Sequence, residues 1–197
     1  DRVIPMIPHK LSNGICSLNA HVDRLALTCM MVIDKNGNVQ SHEIMETLIN
    51  IDERMTYTNV KKILLDEDED VKERYKDLIP MFKTMEELAD VLRKKRMKRG
   101  AIDFDFPETK VILDKEGVPL EMKPYDRNVA TRIIEEFMLV CNETIAEDYF
   151  WQEKPFVYRS HEDPDPEKIL ALTEFINNFG YQIKGNTTKI HPKDMQK

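Results

Sequence analysis

The amino-acid sequence predicts an α+β domain in which antiparallel β-hairpins are packed against helices. Two strand-turn-strand patterns surround the turns DKNG at residues 34–37 and DKEG at residues 114–117. Two long stretches, 71–92 and 128–150, have apolar residues at helical spacing. A chain of 197 residues, 41% of them hydrophobic, is long enough to bury a core, so we expect a single domain or most of one.

The chain begins with a stiff segment that leads into the first hairpin. Pro5 and Pro8 favour an extended, non-helical backbone over residues 4–7. SNG at residues 12–14 then favours a turn. Residues 24–34 are rich in Leu, Thr, Val, Cys and Met, and the DKNG turn connects this predicted strand to a second one that ends near residue 49.

The middle of the chain predicts helices with recognisable ends. Thr56 is placed to cap a helix that starts at Tyr57. From residue 71 to 92, apolar residues alternate at spacings of four and three, which is typical of a long amphipathic helix. Pro80 interrupts this pattern, so either the helix kinks there or Pro80 begins a second helix. The basic segment RKKRMKR followed by Gly100 is typical of a helix end.

The second half predicts another hairpin and two more helices. Residues 101–106 and 110–113 have the pattern of short strands, so we expect the second hairpin to extend the sheet. The helix over residues 128–150 has apolar residues on more than one face, and we expect it to be enclosed on several sides. Residues 155–158 look like a strand, and Asp165 followed by proline begins a last helix.

Charge and cysteine content exclude several classes of protein. A formal net charge of −7 argues against a dedicated nucleic-acid module, so any contact with a nucleic acid must be local. Cys16, Cys29 and Cys141 are widely spaced and indicate neither a disulfide framework nor a zinc site, which fits a reducing, cytoplasmic setting. No apolar run approaches the length that spans a membrane.

Seven segments together resemble one protein family. They are IPMIP, LSNGICSLN and VDRLALTC near the start, ERMTYT at residues 53–58, KRGAIDF at 98–104, IIEEFM at 133–138 and PFVYR at 155–159. In this order they resemble the catalytic domain of the ribonuclease II and ribonuclease R family of exoribonucleases, and the ribonuclease R branch in particular. The resemblance covers essentially the whole chain.

The resemblance implies a processive, magnesium-dependent 3′→5′ exoribonuclease that degrades single-stranded RNA to nucleoside 5′-monophosphates. In that family, an aspartate cluster that holds Mg²⁺ lies upstream of the IPM segment, and an arginine-bearing active-site segment lies downstream of the position matching Lys197. Neither is in this chain. We therefore expect residues 1–197 to be an internal fragment of a single ribonuclease II-type catalytic domain, inactive by itself, that forms the wall of the RNA channel and clamps the 3′ end.

Tyr57 and Glu135 are the first candidate RNA-binding residues. Tyr57 lies at a helix edge, where it can pack in the core or stack on a base, and the resemblance implies that it clamps the 3′ nucleotide. A carboxylate on an enclosed helix needs a partner, such as Arg132, or a cavity. The resemblance implies that Glu135 contacts a ribose rather than a metal, which would distinguish RNA from DNA because only RNA has the 2′-hydroxyl group.

Phe104 and Arg99 are the other candidates. Phe104 shares a predicted strand face with Phe106. That face can belong to the core, but the resemblance implies that Phe104 anchors RNA some nucleotides from the cut. Arg99 either ends a helix in solvent or contacts RNA phosphates. HEDPD at residues 161–165 combines an imidazole with carboxylates, yet its proline and the cap position of Asp165 favour a loop over a metal site.

Three functions fit the sequence. The first is the exoribonuclease, and the second is a non-catalytic RNA-binding or scaffold relative that lacks the metal site. The residues encoded upstream of Asp1 distinguish these two, since an aspartate cluster there supports the enzyme. The third is an autonomous hydrolase that uses the His161 loop and cleaves RNA without other segments. We also expect a monomeric parent and, in the isolated chain, self-association through an exposed sheet edge.

Overall fold

The structure is a computed structural model that describes residues 4–104, 109–124, 127–183 and 190–196. Its strands and helices, in chain order, are β1 (Asp23–Ile33), β2 (Val39–Asn50), α1 (Tyr57–Lys61), α2 (Glu69–Arg74), α3 (Ile79–Arg99), β3 (Thr109–Leu113), β4 (Pro119–Pro124), α4 (Val129–Trp151), α5 (Pro166–Asn177) and α6 (Pro192–Met195). Helices and antiparallel hairpins together confirm the predicted α+β class. Within these ranges, no helix is long and apolar enough to cross a membrane.

The strands form two separate hairpins. β1 pairs with β2 and β3 pairs with β4, both antiparallel, and among the described residues each pair is a sheet of its own. The prediction that the second hairpin extends the first sheet is therefore wrong. The turn between β1 and β2 is closed by Asp34, whose carboxylate accepts hydrogen bonds from the N–H groups of Asn38 and Asn36 at 2.9 and 2.8 Å. These bonds, above all those from Asn38, lower the pKa of Asp34.

Two segments predicted as strands are irregular instead. Residues 101–104 form no strand, and the side chain of Asp103 in this segment is bound by Arg93 and Arg127, while Phe106 lies outside the described residues. Residues 155–158 also form no strand, and the ring of Phe156 packs against Tyr149, with 4.8 Å between the ring centroids. Residues 12–14, predicted as a turn, instead belong to a single wide helical turn, Lys10–Ile15.

The predicted helix ends agree with the structure. The Thr56 hydroxyl group accepts the N–H of Asn59 at 3.2 Å, so the helix begins at Tyr57. Pro80 lies in the first turn of α3, which supports the second of the two alternatives, a new helix rather than a kink. Gly100 ends α3 with φ of +112°.

The core lies where helices α1 to α4 meet. Its buried members are Val60, Ile63, Tyr75, Phe82 and Ala130. α4 packs against α3 and also contacts α1 and β2. Its buried residues are Ala130, Ile133, Glu136 and Thr144, whereas Met138 and Phe150 on the same helix are exposed. The prediction that this helix is enclosed on several sides is therefore wrong for the described part of the chain.

One face of the first hairpin is covered by α4 over only part of its length. The thiol group of Cys29 lies beside that of Cys141, and the Thr144 hydroxyl group donates to the sulfur of Met31 at 3.4 Å. Alternation along a strand places Leu25 and Leu27 on the same face as Cys29. These two leucines are 86% and 81% exposed, so the apolar face continues beyond the helix that covers it.

The end of α3 is covered by the C-terminal part of the described chain. The Gln196 amide donates to the carbonyl oxygens of Met97 and Ala101 at 2.9 and 3.0 Å. Lys193 lies so close that a Cβ atom on Gly100 would be 2.7 Å from the Lys193 nitrogen. Residue 100 therefore has to be glycine for two reasons, its positive φ and this approach.

Candidate nucleic-acid interface

A groove of about 1100 Å³ lies between three parts of the chain: the segment before α1, the first turns of α3 and the first turns of α4. Its lining includes Met55, Tyr57, Met81, Phe82, Ile133 and Ile134. Tyr57 is 47% exposed, so it borders the groove and does not pack in the core. Aromatic and thioether side chains in a groove of this kind can hold a flat, partly apolar group such as a nucleobase.

Glu135 follows the groove residue Ile134 on α4 and is held by an arginine. The Arg127 nitrogen Nη2 donates to both carboxylate oxygens of Glu135, at 2.9 and 3.1 Å. A second guanidinium, that of Arg96, lies 3.6 Å from the Oε1 atom. The observed partner is therefore Arg127 at the start of the helix and not Arg132, the partner expected from helical spacing.

Arg127 also binds the segment that contains Phe104. Its Nη1 donates to the carboxylate of Asp103 at 2.8 Å, and Arg93 donates to the other oxygen of the same carboxylate. These bonds, first that of Arg127 and then that of Arg93, lower the pKa of Asp103 to about 2. The bonds to Asp103 and Glu135 raise the pKa of Arg127 in turn. One guanidinium thus connects Glu135 to the residue before Phe104.

The most buried charge in the described part of the chain is Glu136, and sequence reasoning missed its role. Glu136 is 2% exposed, and Arg96 donates to its two oxygens at 2.5 and 3.2 Å. This interaction raises the pKa of Arg96. The signal in the sequence was the spacing of Glu136 three residues after the apolar Ile133, which places both on one helix face.

Arg99 and Phe104 are both accessible to solvent. Arg99 donates to Glu143 at 2.7 Å in an exposed ion pair, which agrees with the solvated helix end and raises the pKa of Arg99. An exposed guanidinium of this kind can exchange its carboxylate partner for a phosphate. Phe104 is 63% exposed, so the core position considered for it is excluded.

The structure brings some candidate residues together and separates others. Glu135 and the Phe104 segment meet at Arg127, and Tyr57 lines the groove that reaches Ile134. Arg99 lies one helical turn beyond Arg96 and pairs with a residue two turns further along α4, about 10 Å from Glu136 by helix geometry. Arg99 lines a different pocket, together with Arg96 and Glu136, and does not line the groove that Tyr57 borders.

In the ranges that the structure covers, no group of three or more His, Cys, Asp or Glu side chains is placed to hold a metal ion. Residues 161–165 form an exposed loop, and Asp165 caps α5 by accepting the N–H of Glu167 at 2.8 Å. The geometry therefore agrees with the loop interpretation and lends no support to a hydrolase centred on His161.

Comparison with known proteins agrees with the resemblance seen in the sequence. The RNB domain matches residues 1–197. Ribonuclease R 1 of Lactococcus lactis is 41% identical over 196 residues, which cover 100% of this chain and 24% of that protein. Ribonuclease R of Thermotoga maritima is 42% identical over 198 residues, which cover 100% of this chain and 28% of that protein. This chain therefore spans about a quarter of the length of these relatives.

Solved structures of RNase R from Mycoplasma genitalium have the same fold. The apo form and a complex with ribose-methylated single-stranded RNA each match with a TM-score of 0.90 at 26% identity, covering 99% of this chain and 30% of theirs. The segments that suggested the family in the sequence and the arrangement of helices and hairpins thus agree. The chain belongs to the RNB domain family, and within that family it is similar to ribonuclease R.

Proposed function

We propose that this chain is the RNA-binding portion of the catalytic domain of a processive 3′→5′ exoribonuclease that degrades single-stranded RNA to nucleoside 5′-monophosphates. The main support is the groove bordered by Tyr57, next to which two arginines hold the Glu135 carboxylate in place. Membership of the RNB family and the RNA complex of the Mycoplasma genitalium enzyme add to this support. In this proposal, the chain forms the wall of the RNA channel and the clamp for the 3′ end.

Each candidate residue has a role that suits its chemistry. Tyr57 stacks on the base of the 3′ nucleotide, since its ring borders an apolar groove. Glu135 accepts a hydrogen bond from the ribose 2′-hydroxyl group, because an ionised carboxylate only accepts and a hydroxyl group donates. Phe104 stacks on a base further from the 3′ end, and Arg99 binds a backbone phosphate.

Hydrolysis, in this proposal, depends on Mg²⁺ held by carboxylates outside this chain. The 197-residue chain alone then binds RNA but does not cleave it. Incubating the purified chain with Mg²⁺ and a labelled single-stranded RNA tests this directly. Metal-dependent cleavage by the chain alone would contradict the proposal and favour an autonomous hydrolase.

The role of Glu135 is tested in the full-length enzyme that contains this chain. We expect Glu135→Ala to reduce the preference for RNA over DNA of the same sequence by about tenfold, the usual effect of losing a hydrogen bond to a charged group. Glu147→Ala is the matched control, because Glu147 is an exposed carboxylate on the same helix. An unchanged sugar preference in the Glu135 variant would show that this residue does not contact ribose.

We further propose that the full-length protein is a monomer and acts in the cytoplasm, where its free cysteines stay reduced. The isolated chain is different, because β1 and β2 form a two-stranded sheet among the described residues, and each strand has one edge that pairs with no named strand. Such edges, next to the exposed Leu25 and Leu27, favour self-association of the chain.

A further inference from the structure

We propose that Arg127 is a positioning residue that orients the Glu135 carboxylate for its contact with ribose and ties it to the segment that contains Phe104. This inference rests on the proposed function, because it explains how the sugar-sensing residue is held. Arg127 itself touches no reacting atom in this proposal. It acts through Glu135 and Asp103.

The first argument is the geometry of the guanidinium group. Its Nη2 serves both oxygens of Glu135 at 2.9 and 3.1 Å, while its Nη1 serves Asp103 at 2.8 Å. The planar group holds its two terminal nitrogens at a fixed separation, so the two carboxylates are fixed relative to each other. A lysine at this position would supply a point charge without that plane.

The second argument is that the backbone next to Arg127 is itself held. Asn128 caps α4, with its side chain accepting the N–H groups of Ala130 and Thr131 at 3.0 and 3.4 Å. The Thr131 hydroxyl group completes a capping box by accepting the N–H of Asn128 at 3.0 Å. The Arg127 side chain therefore starts from a defined backbone and lies over the first turns of the helix that contains Glu135.

The third argument is that stability alone does not explain this ion pair. The side chains of Arg127 and Glu135 are each 36% exposed, and ion pairs with that exposure contribute little to folding. α3 and α4 are already joined by the buried pair of Arg96 and Glu136. Without Arg127, Glu135 keeps only the longer contact with Arg96 at 3.6 Å, so its carboxylate would sample more rotamers, and a hydrogen bond to ribose would have to overcome that entropy.

The fourth argument concerns the second carboxylate that Arg127 binds. Asp103 immediately precedes Phe104 in the chain, and it is held from its other side by Arg93. The distance between the sugar contact and the aromatic contact is therefore set by one shared guanidinium. Holding two contacts at a fixed separation is what a site needs in order to read the sugar of one defined nucleotide.

The experiment measures sugar discrimination in the full-length enzyme that contains this chain. The readout is the ratio of degradation rates for an all-ribose oligonucleotide and for the same oligonucleotide with 2′-deoxy sugars at its 3′ end. We expect Glu135→Gln to lower this ratio by about tenfold. We expect Arg127→Gln to lower it by about threefold or more, a typical effect for residues in contact.

The double variant shows whether Arg127 acts through Glu135. If it does, Arg127→Gln combined with Glu135→Gln has the same ratio as Glu135→Gln alone. Arg127→Lys restores the charge but not the planar group, so we expect it not to restore the ratio. Arg132→Gln is the control, since it removes the same charge from the helix that carries Glu135, and the ion pairs of Glu135 among the described residues are with Arg127 and Arg96. We expect this control to keep the wild-type ratio.

Each outcome decides a different claim. If Glu135→Gln lowers the ratio and Arg127→Gln does not, or if the two effects simply add, the positioning role is wrong while the proposed function stands. If Glu135→Gln has no effect, the sugar contact in the proposed function is wrong, and the role of Arg127 is wrong with it. Should Arg127→Gln fail to fold, as judged by circular dichroism, Arg127→Lys decides, because a wild-type ratio in that variant contradicts the inference.

Discussion

At the scale of single residues, Glu136 stands out because its carboxylate has almost no contact with water. Moving the Glu136 carboxylate out of water costs several kcal/mol unless charge and hydrogen bonds compensate it. Arg96 supplies both, and the Nη1 atom of Arg93, which has no hydrogen-bond partner among the described residues, lies 3.8 Å away. The pair is therefore sensitive to the removal of either partner.

We expect Arg96→Met to destabilise the fold by about 3–5 kcal/mol, because Glu136 is then buried without its main partner. We expect the double variant, Arg96→Met with Glu136→Leu, to lose less stability than the single variant, because no buried charge remains without a partner. Urea denaturation of the three proteins measures this, with Lys76→Gln as the control for an exposed ion pair. Equal losses in the single and the double variant would contradict the explanation.

A second prediction concerns pH. The pKa of Asp103 is lowered from 3.8 to about 2 by Arg127 and Arg93, so its contribution to stability is complete above pH 3.8 and is lost as the pH falls towards 2. We expect the difference in melting temperature between wild type and Asp103→Asn to be constant from pH 5 to 7 and to shrink at about pH 3 and below. A difference that does not change with pH would show that the Asp103 charge is not what the arginines stabilise.

The candidate residues illustrate what a sequence can predict at this scale. The edge position of Tyr57 could be predicted, because its cap, Thr56, is a local signal. The partner of Glu135 could not, since Arg127 lies outside the helix and reaches back over its first turns. Helical spacing predicts contacts within a helix, whereas the contact between Arg127 and Glu135 depends on the path of the chain before the helix.

At the scale of elements, the helices follow local rules, whereas two segments with strand-like composition form no strand. Caps at Thr56, Asn128 and Asp165 join residues only two or three positions apart, and the proline in the first turn of α3 is a signal of a single residue, so all of them are local. The segments 101–104 and 155–158 have strand-like composition but form no strand. In each segment, side chains contact residues outside it, as Asp103 does with Arg93 and Arg127 and Phe156 with Tyr149, and composition alone does not predict these contacts.

The end of α3 gives a prediction with a built-in control. Gly100 and Gly180 both have positive φ, +112° and +85°, but only Gly100 is approached by backbone, that of Lys193. We expect Gly180→Ala to lower the free energy of unfolding by about 1 kcal/mol through backbone strain. Gly100→Ala should lower it clearly more, because Lys193 must also move. Thermal denaturation measures both, and equal losses would mean that the contact with Lys193 contributes nothing.

At the scale of the whole molecule, the two hairpins are not joined into one sheet among the described residues, and the apolar face of the longer one is partly uncovered. The sequence predicts hairpins well, because turns such as DKNG are local. It does not predict whether two hairpins share a sheet, because that depends on pairing between strands far apart in the chain.

The uncovered face leads to a prediction about association. Leu25 pairs across the hairpin with Leu48, and both are exposed. We expect the isolated chain to form dimers or larger species in sedimentation velocity, and Leu25→Lys to shift it towards monomer, because a charge on an edge strand opposes pairing. Lys123→Gln, on the other hairpin, is the control. A wild-type chain that stays monomeric at high concentration would contradict the prediction.

The neighbouring sulfur atoms of Cys29 and Cys141 offer a way to watch α4 separate from the hairpin. Burial, and next the adjacent Cys141, raise the pKa of Cys29, whereas Cys16 is exposed. We expect iodoacetamide to alkylate Cys16 first and the partly buried Cys29 more slowly, because α4 covers part of the strand around it, and we expect mild urea to accelerate the reaction of Cys29 more than that of Cys16. Mass spectrometry of the tryptic peptides follows both, and equal rates for the two cysteines in buffer would show that the helix does not protect the strand.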